Sequence, residues 1–187
     1  MSTSTVIKEV SELLMNLLKV GLVATDNPTP AVVISSPVDA VGPPDLSIWL
    51  YQVTPNEHLR NAANLRFKDE EFERLTPLSL DLYYLLTPLR KDESRNQMTL
   101  GRALRVLYDN SILTLSAGTN VEELHVSLCQ RSIEELAKVW EAMQKPYRLS
   151  VCFEVRVVRI DSERTLSPGR VLERTTAFEE MPAEDAA

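Results

Sequence analysis

Pro77-Leu78-Ser79-Leu80-Asp81-Leu82-Tyr83-Tyr84-Leu85-Leu86-Thr87-Pro88 alternates Leu78, Leu80, Leu82, Tyr84 and Leu86 onto one face of an extended segment. The opposite face starts polar, at Ser79 and Asp81, and turns apolar at Tyr83 and Leu85. A helix of this composition would be apolar nearly all round, and a proline stands at each end, so the stretch reads as a strand. Its second half is expected to be covered on both faces, which places it centrally in a sheet. The natural partner is Leu46-Ser47-Ile48-Trp49-Leu50-Tyr51-Gln52-Val53, bounded by Pro44 and Pro55.

Working outward, Val6, Val10, Leu13, Leu14, Leu17 and Leu18 recur at helical spacing. Ser4 or Thr5 can cap that helix, and Gly21 suits the left-handed residue that ends one. Six of the eleven prolines lie between residues 28 and 55, so only Ala31-Val32-Val33-Ile34-Ser35 reads as a strand there, at a sheet edge. Leu100, Ala103, Leu104 and Leu107 mark a second helix over residues 96–109, closed by Asp109-Asn110. Leu124 to Cys129 reads as a short strand. Ser132-Ile133-Glu134-Glu135 is a capping box, followed by the stripe Ile133, Leu136, Ala137 and Trp140, expected to be buried. Tyr147 to Ile160 reads as a long strand with Leu149, Val151, Phe153, Val155 and Val157 on one face, its charged far end solvated or in an interface. Together these elements predict an α+β fold, a central mixed or antiparallel sheet of about four to six strands flanked by about three helices.

Two segments stand apart from this frame. Residues 54–76 are too long for a hairpin turn and too polar for a core element, which leaves a partner-binding loop or a passive excursion. His58, Arg60 and Asn61 are its candidate contact residues. The chain divides into a domain over 1–162 and an arm with an acidic tail over 163–187. Arg164 to Arg174 is basic in a chain of net charge −7, and Val171, Leu172 and Phe178 have little local core to enter. Such a segment can add to a sheet edge of a partner, with Arg170, Val171, Arg174 and Phe178 in contact, or fold back as an edge strand of its own sheet.

Length and charge bound the function. A chain of 187 residues buries a real core as one domain. The acidic balance argues against nucleic acid as a main partner. No run approaches the roughly 18 apolar residues of a membrane span, and the first residues lack the pattern of a signal peptide. Cys129 and Cys152 both fall in apolar runs, as buried thiols or as a disulfide between neighbouring strands. No phosphate loop, dinucleotide fingerprint, zinc or nucleophile-elbow motif occurs, and His58 and His125 are the two histidines. Asp81 interrupts an apolar strand, where a carboxylate is more often held by backbone or an arginine than used as a base. Hence no catalytic residue, cofactor or metal is expected. The competing reading is a small-molecule-binding or hydrolytic α+β domain using Asp81 and His58 in a cleft.

Several runs carry a family pattern: Ile48 to Val53 with Asn56 and Leu59-Arg60-Asn61, Pro77 to Thr87, Leu100-Gly101, Leu136 with Trp140, and Pro146 to Val151. Over roughly residues 6–160 and in this order, they resemble the N-terminal domain of the cap, or tail-terminator, protein of extracellular contractile injection systems of the antifeeding-prophage and virulence-cassette type. The resemblance implies a structural protein that forms a ring, expected to be a homo-hexamer, at the baseplate-distal end of a phage-tail-like particle. There it would contact the inner tube protein and the sheath protein and stop both from growing. It implies no nucleic-acid or membrane partner. Assembly would take place in the cytoplasm, in a particle that can be released outside the cell. Some members of that family carry a further C-terminal domain.

Overall fold

The structure is a computed structural model that describes residues 4–23, 30–42, 44–59, 73–74, 76–117, 120–162 and 165–166. A six-stranded mixed sheet forms the frame, in the order β1-β2-β4-β7-β6-β5. Its strands are β1 (Val32–Ile34), β2 (Leu46–Pro55), β4 (Leu78–Pro88), β5 (Ile112–Ala117), β6 (Asn120–Leu128) and β7 (Val151–Ile160). β1 runs parallel to β2 and every other pairing in the sheet is antiparallel. β4 is the central strand anticipated, flanked by β2 and β7. β1 is an edge, as its prolines require.

Alternation along β4 sorts the two faces. Leu80, Leu82, Tyr84 and Leu86 enter the main core with Leu46 and Ile48 of β2 and Phe153 and Val155 of β7. That face is covered by α1 (Val6–Val23) and α2 (Glu93–Asp109). Val6, Val10, Leu14, Leu18 and Leu22 give α1 a stripe at every fourth residue, the spacing that keeps side chains on one side of a helix. Ser11 lies in the same stripe and its hydroxyl pairs with that of buried Tyr84 at 2.8 Å. Burial pushes the Tyr84 phenol up to about 12, so it stays neutral and can keep this bond. On the opposite face Leu85 and Cys152 pack under α3 (Ile133–Ala142) with Leu136 and Trp140. The expected capping box is present: Ser132 Oγ accepts from the Glu135 amide at 3.2 Å and Glu135 accepts from the Ser132 amide at 2.8 Å.

The structure corrects four expectations. Gly21 does not end α1, which continues to Val23. Its missing side chain instead lets α1 approach α2, because a Cβ there would stand 2.5 Å from Val106 Cγ2. Gly21→Ala is therefore expected to cost about 1–3 kcal/mol by overpacking. Adding Val106→Ala should recover part of that loss, and chemical denaturation of both variants checks the pair. The second correction concerns the last strand, which begins at Val151; residues 147–150 are irregular and Leu149 is exposed. Val157 does not follow Val155 onto the core face. The register slips by one residue between Leu80 and Leu82, and Val157 takes φ 62°, costly for a β-branched residue. Val158 is turned into the core in its place, fully buried. Third, in the charged part of this strand, expected to be solvated or in an interface, Arg156 and Arg159 are exposed but Glu154 is only 7% exposed. Fourth, β5 was not anticipated at all.

Candidate functional site

The outer face of the sheet is apolar under α3 and polar where β2 ends and β4 begins. Asn56 stands immediately after β2, and its side-chain amide donates to both oxygens of Asp81 on β4, at 3.0 and 3.1 Å. Its Oδ1 accepts from the His58 and Leu59 amides, each at 3.1 Å. Both Asn56 and Asp81 are buried. One asparagine thus closes the turn that begins the long connection and ties it to the central strand, as Asx turns do. Asp81 is held by Asn56, not by backbone or an arginine as expected.

Beside this clamp, Tyr83 donates to Glu154 Oε1 at 3.0 Å, and Arg156 Nε meets the same oxygen at 2.7 Å. The Arg131 guanidinium lies 5.1 Å over the Tyr83 ring. This network explains why Glu154 can be buried: two donors, one of them a cation, satisfy its charge. Thr54, Pro55, Glu57, His58, Asp81, Tyr83 and Arg156 line an open cleft of about 540 Å³. The structure therefore does bring His58 and Asp81 to one cleft. His58 is exposed and enters the clamp through its backbone amide alone. Asp81 is engaged on both oxygens. The arrangement orders a turn and presents a polar, mixed-charge surface; it supplies no nucleophile paired with a base. Among the described residues no group of three or more His, Cys, Asp or Glu could hold a metal ion. His125, on β6, is exposed and pairs across the strands with Arg156, but it does not line the cleft.

This geometry separates two roles. Asp81→Asn should cost about 1–2 kcal/mol, because it weakens a buried charge-assisted pair. His58→Ala should change stability by less than about 0.5 kcal/mol. Both folded variants are expected to keep assembly, which thermal melts and sedimentation check.

Of the other residues predicted to meet partners, Arg60, Asn61, Arg170, Val171, Arg174 and Phe178 lie outside the described residues. Short pieces on both sides are described, however, and they meet. β3 (Glu73–Arg74), from the long connection, pairs antiparallel with β8 (Thr165–Leu166), from the start of the arm. The register is Glu73 opposite Leu166 and Arg74 opposite Thr165. The two segments set apart by composition are thus joined by a ladder distinct from the main sheet. Sequence reading could not pair them, since neither carries alternation of its own.

The comparisons with known proteins agree with one another. The family model for the Pvc16 N-terminal domain matches residues 9–174, most of the chain. The chain belongs to the Pvc16 N-terminal domain family. Its fold is also similar to that of a PVC sheath/tube terminator of an extracellular contractile injection system, in its extended state, with a TM-score of 0.63 and 18% identity. That likeness covers 100% of this chain and 67% of the terminator. A second similar structure is the tube-terminating cap of the anti-feeding prophage, with a TM-score of 0.57 and 19% identity over 86% of this chain and 59% of the cap. The Pvc16-family chain thus spans about two thirds or less of each terminator's length. A search of curated protein sequences finds no match.

Proposed function

We propose that this Pvc16-family chain is a structural cap that terminates the inner tube and the contractile sheath of a phage-tail-like injection particle. The observation that carries the reading is the family match over residues 9–174, on a fold shared with two terminators of such particles. The physical logic is that of a chain stopper. A tube or sheath end offers an unfilled heterologous surface, and a subunit that binds it without presenting the same surface onward halts growth. A closed ring, a hexamer of this chain, does so at every protofilament at once.

The contact surface on this reading combines the long connection and the arm. Asn56 and Asp81 fix where the connection leaves the sheet, and the β3–β8 ladder fixes where it meets the arm. His58, Arg60 and Asn61 of the connection are assigned to contacts with partners, and Arg170, Val171, Arg174 and Phe178 of the arm to contacts with sheath or with the neighbouring protomer. The hydrolytic alternative receives no support from the family or the neighbours. Assembly in the cytoplasm, before release of the particle, follows from the same reading; no described helix is long and apolar enough to cross a membrane.

Adding the purified chain to polymerising tube or sheath subunits tests the proposal. Elongation should stop at low molar ratios, with ring-shaped density on the ends. Unchanged elongation at saturating protein would overturn it.

A further inference from the structure

Cys129 and Cys152 face each other across two neighbouring strands. The last pair of the β6–β7 ladder is Leu128 with Phe153, so the next residues, Cys129 and Cys152, are directly opposite. The Cys129 amide donates to the Cys152 carbonyl at 2.9 Å, which continues the ladder and marks a hydrogen-bonded pair. Opposed residues of that kind have Cα atoms about 5.5 Å apart, within the span that a disulfide bridges. Both are free thiols, and each perturbs the titration of the other.

Their surroundings are unequal. Cys152 is 2% exposed beneath α3, while Cys129 is half-buried at the turn leading into it. Tyr51 of β2 places its hydroxyl 3.0 Å from Cys152 Sγ. Arg131, two residues after Cys129, is held by Glu135 at 3.2 Å, and its charge favours the Cys152 thiolate. The Cys129 thiol, Tyr51 and Arg131 together draw the Cys152 thiol down to about 7 against its burial. Cys129 is pushed up by its bond to Cys152 and by burial. Glu154 and Tyr83 are the remaining titratable groups on this side, and they are satisfied by each other and by Arg156. Positive charge and a donor hydroxyl beside one sulfur, with a half-buried second sulfur opposite it, are the makings of a dithiol that oxidises in two steps.

We infer that Cys129 and Cys152 are a reversible redox site, closed to an intrachain disulfide between β6 and β7 by peroxides. In the first step the Cys129 thiol passes its proton across the opposed pair to the Cys152 thiolate, and the Cys129 thiolate so formed attacks one oxygen of hydrogen peroxide. The O–O bond breaks, Cys129 becomes a sulfenic acid, and the displaced hydroxide takes the thiol proton and leaves as water. In the second step the Cys152 thiolate attacks Cys129 Sγ. The S–O bond breaks, the leaving hydroxide is protonated by the proton Cys152 gave up, and a second water departs. Two thiols and one peroxide thus yield one disulfide and two waters. The new bond closes the segment that carries α3, so oxidation fixes this helix to the sheet. This chemistry would operate whether or not the chain caps a particle.

The test uses the full-length chain, reduced, freed of reductant and exposed to hydrogen peroxide. Both thiols should disappear together in a species that runs as a single chain without reductant. Its digest should contain a peptide linking Cys129 to Cys152, its melting temperature should rise by about 4–8 °C, and dithiothreitol should reverse all three changes. Cys152→Ser should leave Cys129 as a sulfenic acid that dimedone traps. Tyr51→Phe, which removes one donor to Cys152, should slow closure about three- to tenfold and shift its pH profile upward. A purely structural role for Tyr51 would not move that profile. Two titratable thiols surviving excess peroxide would overturn the inference, as would Cys129 over-oxidised beside an intact Cys152 or a disulfide only between chains.

Discussion

Trp140→Ala is expected to destabilise the protein by about 3–5 kcal/mol, the cost of emptying a large buried aromatic site. α3 is a ten-residue helix with only Leu136 and Trp140 buried. A helix that short does not persist in water by itself, so its docking depends on those two side chains. Trp140 is 2% exposed, its indole N–H donates to Ser150 Oγ at 3.1 Å, and its ring meets Tyr147 edge-on at 6.4 Å. Truncation removes the packing and orphans the buried Ser150 hydroxyl together. Ile133 is the internal control: contrary to the expected buried stripe, Ile133 is 67% exposed and Ala137 is exposed too, and Ile133→Ala should cost less than about 0.5 kcal/mol. Urea titrations followed by circular dichroism separate the two, and a loss under about 1 kcal/mol for Trp140→Ala would mean that α3 is held by something else.

Truncation after Ser162 should have the largest functional effect. No strand of the six-stranded sheet extends past Ile160, so the core should keep its stability to within about 1 kcal/mol. What the truncation removes is β8, and with it the only described ladder that fastens the long connection to the arm. Attachment to tube or sheath ends is therefore expected to be lost in a chain that still folds. Normally capped ends from the truncated protein would show that the arm is a passenger. A middle case is also informative. Arg74 and Glu73 can be left intact while the chain is cut after Leu166, which keeps the ladder and removes the rest of the arm. If attachment survives that cut, the connection makes the contact; if it is lost, the arm does.

The elements with strong periodicity were legible in the sequence. β4 and β2 were written in alternating leucines and tyrosines, α1 in its four-residue stripe, and α3 in a capping box that local hydrogen bonds enforce. The features that escaped reading depend on partners distant in the chain. Gly21 looks like a helix terminator by itself, and only Val106 on α2 explains it. Val157 continues an apolar alternation on paper, but the slip opposite Asp81 hands its place to Val158. Glu154 looks in the sequence like Arg156 and Arg159, part of a charged strand end, and only Tyr83 and Arg156 beside it account for its burial. β5 (Ile112–Ala117) buries Leu113 and Leu115 at an edge, where an alternation over so few residues is a weak signal. The candidate site was half legible: unusual length marked the 54–76 connection, and basic charge in an acidic chain marked the arm. Their meeting in the β3–β8 ladder, and the clamp of Asn56 on Asp81, required the fold.

The central claim is that the chain stops polymer growth, and particle length reads it most directly. Particles assembled with the intact chain and without it should be imaged by electron microscopy and their tube and sheath lengths measured. With the chain present the lengths should be narrowly distributed, with a closed ring at the end distal to the baseplate. Without it, tubes and sheaths should be ragged-ended, broadly distributed and on average longer. Identical length distributions and identical ends in the two preparations would contradict the account.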